Sequence, residues 1–191
     1  KNFELIAYSA KDRIDEYSSH FKPLFVKWNS IEKKKDDEVV EQIFKDGIHI
    51  LMELQGHSAE NRIPIFMYKA APIQVSWLST GTLGVTEIDY LIGSPYITPE
   101  NEENHFVEKI WRLPEITQCF TPPDFDVKIN SLPAAKNDFI TFGCFNKLSK
   151  VNDDVIALWS KILLSIPNSK LLIKNENLDN KKVIGNILEK F

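Results

Sequence analysis

The pattern of apolar and polar positions along this chain switches repeatedly between a period of two and a helical period. NFELIAY, residues 2–8, puts Phe3, Leu5 and Ala7 on one side of a strand, and after a polar segment PLFVKW reads as a second short strand. EKKKDDEVVEQIFKDG then takes up the helical period. Asp36 or Asp37 can cap its start, Val39, Val40, Ile43 and Phe44 form its buried stripe, and Gly47 suits the left-handed position just past its end. IHILMEL follows as a buried strand and GHSAENR as a polar loop at its carboxyl end. Pro64 opens a short helix, IPIFMYK. PIQVSWL and IDYLIG read as strands joined through the small-residue loop STGTLG, and PENEENHFVEKI reads as a helix with acidic residues in its first turn.

Residues 114–138 break this order, being rich in proline and without a sustained period, as in a linker or crossing segment. The alternation resumes with DFITFGCF as a strand, NDDVIALWSKILLSI as a helix facing inward through Val155, Leu158, Trp159, Ile162 and Ile166, KLLIKN as a strand, and a last helix. Strand and helix in alternation predict an α/β fold with a parallel sheet covered by helices. The expected organisation is one nearly complete α/β lobe over residues 1–113, the crossing segment 114–138, and the opening of a second lobe over 139–191. Lys1 in place of methionine, and a final helix with no closing element after it, lead us to expect a piece of a longer polypeptide.

Composition narrows the function classes. Apolar residues make up 43% and charged residues 26% of the chain, the balance of a soluble globular protein. A net charge of -4 argues against a general binder of nucleic acid or of anionic membranes. No apolar run reaches membrane-spanning length, and the N-terminal stretch lacks the features of a signal peptide. Two cysteines, Cys119 and Cys144, without CxxC spacing fit a reduced, cytoplasmic setting and exclude a cysteine-built metal site.

In open parallel sheets ligands bind at the carboxyl ends of the strands, and GHSAENR, STGTLG and NKLSK all lie there. Lys147 and Lys150 sit between a strand and a helix, where an ammonium can neutralise a diphosphate, although spacing alone favours a solvated turn. Asp153 and Asp154 in the first helical turn would repel an anion, so any anion there must be held by the lysine side chains. In STGTLG, Gly81 and Gly84 permit close backbone approach, and Thr80 and Thr82 offer hydroxyls to a sugar or phosphate; the two glycines by themselves favour a plain connection. His20, His49, His57 and His105 show no zinc-site spacing. His49 reads as a core residue, His105 as an exposed one and His20 as a strand-edge one; His57, in a strand-end loop, is the best placed for chemistry. Acidic residues cluster at helix starts, where capping accounts for them, and there is neither a GxSxG elbow nor a GxxxxGKS phosphate loop.

Several ordered blocks carry a resemblance: DGIHILMELQGHSAENR, APIQVSWL, the TG-containing loop before IDYLI, and ITFGCFNKLSKVNDDVIALWSKILLSIPNSKLLIK. Together they resemble the catalytic region of the O-GlcNAc transferase and SPINDLY family. These are inverting, nucleotide-sugar-dependent glycosyltransferases with the two Rossmann-like lobes of the GT-B fold, usually preceded by tetratricopeptide repeats. The resemblance implies UDP-GlcNAc as donor, UDP as product, a protein Ser/Thr hydroxyl as acceptor, and neither a metal nor a prosthetic group. It places the final lysine of an F-N-x-L-x-K block, here Lys150, on the donor diphosphate, with Asn146 and Lys147 beside the nucleotide. It places Trp77, Leu78 and Ser79 against the donor sugar.

Departures from the family pattern are visible too. Ser79 stands in a glycine position, the loop after it is shorter, and Leu24 replaces a histidine, with His20 four positions upstream. They leave two other readings: a non-catalytic relative that binds or scaffolds, and a GDP-fucose user of the SPINDLY type. An unfinished second lobe also leads us to expect an exposed sheet edge and self-association of this chain.

Overall fold

The computed structural model describes residues 3–11, 14–79 and 81–191, and of Glu176 and Asn177 only the backbone. The start of the first expected strand, Asn2, and the hydroxyl of Thr80 therefore lie outside the described residues. In chain order the elements are β1 (Ile6–Ser9), α1 (Glu16–Phe21), β2 (Lys27–Ser30), α2 (Asp36–Lys45), β3 (Ile50–Glu53), β4 (Ile73–Ser76), β5 (Tyr90–Gly93), β6 (Lys109–Arg112), α3 (Pro133–Asn137), β7 (Thr141–Cys144), α4 (Asp153–Ser165), β8 (Lys170–Ile173) and α5 (Lys181–Leu188). Short 3-10 helices at Lys22–Leu24, Ile63–Tyr68, Glu100–His105 and Leu148–Lys150 fill several connections. The chain divides into two compact units, Lys1–Pro122 and Pro123–Phe191.

Every strand pair in these sheets is parallel. β1 pairs with β2, β3 to β6 form a sheet in sequential order, and β7 pairs with β8. Alternation sorts the four-stranded sheet into two faces. Leu51, Gln74, Ser76 and Leu91 are buried on one, over a core of Val39 and Ile43 from α2 and of Ile65, Phe66 and Ala70. Ile50, Met52, Ile73 and Trp111 on the other face are exposed, with Trp111 set edge-on to Tyr90 at 5.7 Å.

Helix α2 starts as its sequence requires, with one change. Lys35, not an aspartate, occupies the capping position, and its backbone N–H donates to Glu38 Oε2 at 2.8 Å. Asp36 is engaged elsewhere: Arg62 Nε donates to Asp36 Oδ1 at 2.7 Å, and the same guanidinium reaches the carbonyls of Ile31 and Lys34 at 3.0 Å. Past the end of α2, Gly47 holds φ 64°, the left-handed value that glycine tolerates best. Asp46, the residue before it, accepts from Tyr8 Oη at 2.7 Å and from Lys27 Nζ at 2.6 Å, tying β1 and β2 to the helix. The Lys27 bond, then the Tyr8 bond, holds the Asp46 carboxyl below its usual range. Burial, with Asp46 adding, pushes the Tyr8 hydroxyl well above its ordinary value. At the head of β5, burial pushes the Asp89 carboxyl up, but Lys69 and the backbone N–H of Gln74 outweigh it and leave the net shift downward.

Several expectations need correction. PLFVKW is extended only in its second half: Lys22–Leu24 form a 3-10 helix that Pro23 suits, the Val26 N–H donates to the Leu5 carbonyl at 2.9 Å, and Lys27 and Trp28 open β2, which runs on to Ser30. Phe3 and Leu5 are exposed and precede β1, which is shorter than NFELIAY. Phe44 and Leu158 are exposed rather than inward, and Ile156 is the buried anchor of α4. PENEENHFVEKI splits into the 3-10 helix Glu100–His105 and strand β6. Six residues are too few for the helical period to outweigh the pairing that β5 offers Lys109–Arg112. His49 is exposed, just ahead of β3, and His20 lies on α1 with its ring against the Glu16 carbonyl.

Candidate functional site

Strand β3 ends in Glu53, an inward position by alternation, and its carboxylate is buried. Backbone N–H groups cover it: Gln55 donates to Glu53 Oε1 at 2.7 Å, and Gly56 donates to both oxygens at 3.0 and 2.9 Å. A buried carboxylate needs such donors, and meeting them folds the chain back sharply. Gly56 accordingly takes φ 58°, and a side chain there would press on Ser79 Oγ at 3.2 Å. The GHSAENR loop is thus set against the end of β4. Its next residue, His57, reaches across: Nε2 lies 3.0 Å from the Thr82 carbonyl oxygen. A carbonyl only accepts, so Nε2 carries the proton and Nδ1 is bare in the neutral ring.

The loop after β4 is fastened from below as well. Glu108, also buried, accepts from Thr82 Oγ1 at 2.6 Å and from the Leu83 backbone N–H at 2.7 Å. The Thr82 hydroxyl is therefore spent on Glu108 rather than offered to a ligand, a correction to the sequence reading. Ser79 Oγ donates to the Gly81 carbonyl at 2.8 Å, and Trp77 Nε1 donates to the Thr117 carbonyl at 2.8 Å. Between them Leu78 holds φ 68° with its side chain exposed. A leucine in the left-handed region costs about 1–2 kcal/mol, and it persists only where the surrounding bonds over-determine it. Trp77, Leu78 and Ser79 thus form one constrained stretch at the carboxyl edge of the sheet.

Asn146, Lys147 and Lys150 lie in the second unit, in the connection that follows β7. Lys147 precedes the 3-10 helix Leu148–Lys150, and its carbonyl accepts the Lys150 N–H at 3.0 Å. Asn152 caps α4 by accepting from the Val155 N–H at 2.9 Å, which sets where the turn must end. Both lysines are exposed, and neither side chain makes an ion pair among the described residues. Asp153, one of the two carboxylates expected to repel an anion here, is paired with Lys190 at 2.5 Å. The Asn146 carbonyl accepts from Asn175 Nδ2 at 3.3 Å, joining the ends of β7 and β8. A cavity of ≈ 350 Å³ opens beside Asn146, walled by Phe142, Phe145, Trp159 and Leu171 among others; neither lysine lines it.

Glu53 and Glu108 escaped sequence reasoning. Glu53 had a signal, since a carboxylate alternates with Leu51 on the inward side of an apolar strand. Glu108 had none, because the segment around it read as a helix.

All-parallel strands with ligand-type loops at their carboxyl ends define a Rossmann-like α/β protein. The comparisons give the family. The profile of glycosyl transferase family 41 matches residues 9–121. The chain belongs to that family. It is 34% identical over 179 residues to a probable UDP-N-acetylglucosamine–peptide N-acetylglucosaminyltransferase SPINDLY of Eustoma exaltatum subsp. russellianum, covering 91% of this chain and 20% of that protein. It is 31% identical to a probable enzyme of the same name, SEC, from Arabidopsis thaliana, covering 90% of this chain and 18% of that one. Among solved structures, a lysine-to-methionine mutant of the Thermobaculum terrenum O-GlcNAc transferase superposes with a TM-score of 0.81 at 30% identity, covering 98% of this chain and 35% of that one. The chain thus spans about a fifth of the length of the curated relatives it matches.

Proposed function

We propose that the full-length polypeptide is a glycosyltransferase that moves GlcNAc from UDP-GlcNAc to Ser/Thr hydroxyls of proteins. The observation that carries this is the pair of exposed lysines, Lys147 and Lys150, in the turn after β7 without ion-pair partners among the described residues, in a chain of this family. In the reaction the acceptor oxygen bonds to the anomeric carbon as the bond to the diphosphate breaks. The departing diphosphate oxygen takes the electron pair and the acceptor proton is released. The Lys150 ammonium is assigned to offset that negative charge, and Asn146 and Lys147 to hold the nucleotide. The stretch Trp77–Ser79 is assigned to the sugar. Buried carboxylates under the neighbouring loops suit a neutral polyol there better than a phosphate.

The same reading takes residues 1–113 as the first lobe, 114–138 as the crossing segment and 139–191 as the start of the nucleotide lobe. It includes a metal-free reaction, preceding tetratricopeptide repeats, a cytoplasmic setting, and self-association of the isolated chain. The test is a calorimetric titration of UDP and UDP-GlcNAc into the full-length protein, with Lys150→Ala alongside. Binding that weakens in the variant supports the assignment. A folded protein that binds neither ligand sinks it, and GDP-fucose is then the next ligand to titrate.

A further inference from the structure

The loops after β3 and β4 are joined at two points. Gly56 lies against Ser79, and the His57 ring bonds to the Thr82 carbonyl at 3.0 Å. Each loop is also anchored to its own buried carboxylate, Glu53 for the first and Glu108 for the second. His57 is exposed, so this ring is not held in place to fill a core. The Trp77 N–H donates to the Glu53 carbonyl at 2.9 Å where the two loops begin; the His57 bond adds a second tie further out, at Thr82. The stretch that gains from it is Trp77–Ser79, which holds Leu78 at φ 68° immediately before the bonded loop.

We propose that His57 is a positioning residue: its Nε2–H strut to the Thr82 carbonyl, on the frame clamped by Glu53 and Glu108, shapes the Trp77–Ser79 stretch and so sets the preference for a nucleoside diphosphate sugar over the bare nucleoside diphosphate. This rests on the proposed assignment of that stretch to the donor sugar. The requirement at position 57 is a hydrogen-bond donor at the reach of Nε2. Glutamine can supply one from its amide, and alanine cannot.

Affinities of the full-length protein for UDP and for UDP-GlcNAc, measured by calorimetry with His57→Ala and His57→Gln, test this. In His57→Ala, UDP-GlcNAc is expected to bind roughly tenfold more weakly, as for one lost and unreplaced hydrogen bond, while UDP binding stays within about twofold. His57→Gln is expected to recover most of the sugar-dependent difference. Equal affinities in the parent and His57→Ala overturn the proposal. So does an equal loss for both ligands, which reports general loosening, and so does a glutamine variant as weak as alanine, which means that the ring itself touches the ligand. A parent protein that binds neither nucleotide overturns the functional reading first, and this inference falls with it.

Discussion

The loop pair after β3 and β4 and the turn after β7 handle charge in opposite ways. Glu53 and Glu108 are buried, and each is covered by backbone N–H groups or a hydroxyl of the very loop it supports. Lys147 and Lys150 are exposed, with no internal ion pair among the described residues. A buried charge must be matched inside the protein, and matching it fixes a shape. An exposed, unmatched charge fixes no shape, but it keeps its attraction for an outside ion. The first arrangement suits recognition of a neutral group by geometry. The second suits an anion whose charge grows during a reaction.

This contrast breaks most visibly in turnover. On the proposed function, Lys150→Ala in the full-length polypeptide is expected to lower the rate of UDP release from UDP-GlcNAc by roughly 10²–10³-fold, the scale of one lost transition-state partner. The melting temperature should not move, because the side chain bonds to nothing among the described residues. An unchanged rate would mean that the lysine turn is only a solvated connection. Nucleotide affinity should also fall with added salt, as expected for exposed charges.

A smaller effect is expected on the stability of the loop side. Glu108→Leu leaves the Thr82 hydroxyl and the Leu83 N–H without their partner, at a cost of about 1–3 kcal/mol. Lys147→Leu in the turn should stay within about 0.5 kcal/mol of the parent. Denaturant unfolding of the three proteins decides it, and equal midpoints would show that Glu108 is no anchor.

How much of this was legible in the sequence follows the same division. Strands β3, β4, β5, β7 and β8 were readable because apolar runs and their punctuation are local signals, and Gly47 marked the end of α2 for the same reason. Strand β6 was not. Lys109–Arg112 carries charge at both ends and follows an acidic stretch, so nothing local distinguishes it from a helix; its pairing with β5 decides. Likewise PLFVKW looked extended throughout, yet its first half forms a 3-10 helix that Pro23 suits, and β2 opens at Lys27. In the site, the lysines stood out because an exposed pair between a strand and a helix is itself a sequence pattern. The clamp of Glu53, His57, Thr82 and Glu108 did not, since its partners are brought together only by the sheet. A hydroxyl that looked available, that of Thr82, proved to be bonded from beneath for that reason.

The smallest expected effect divides the molecule by pH. Asp46 and Asp89 both lie in the first unit, and both carboxyls are held below their usual range, Asp46 chiefly by Lys27 and Asp89 by Lys69 and the Gln74 N–H against the opposing push of burial. A carboxyl whose folded value is depressed binds its proton more readily in the unfolded chain. Its stabilising contribution is therefore complete above the ordinary aspartate value of about 3.9 and is lost as pH falls through the lower folded value. Asp46→Asn should lose about 1 kcal/mol at neutral pH, given solvent screening of Lys27, and should show a shallower loss of stability between neutral and strongly acid pH than the parent. Hydrogen exchange resolved along the sequence would place the parent's early acid opening around β1, β2 and the end of α2, where Tyr8, Lys27 and Asp46 meet. An acid profile identical in Asp46→Asn and the parent would show that this contact contributes nothing. The fastening of the first unit would then rest on its apolar core and its backbone-covered carboxylates alone.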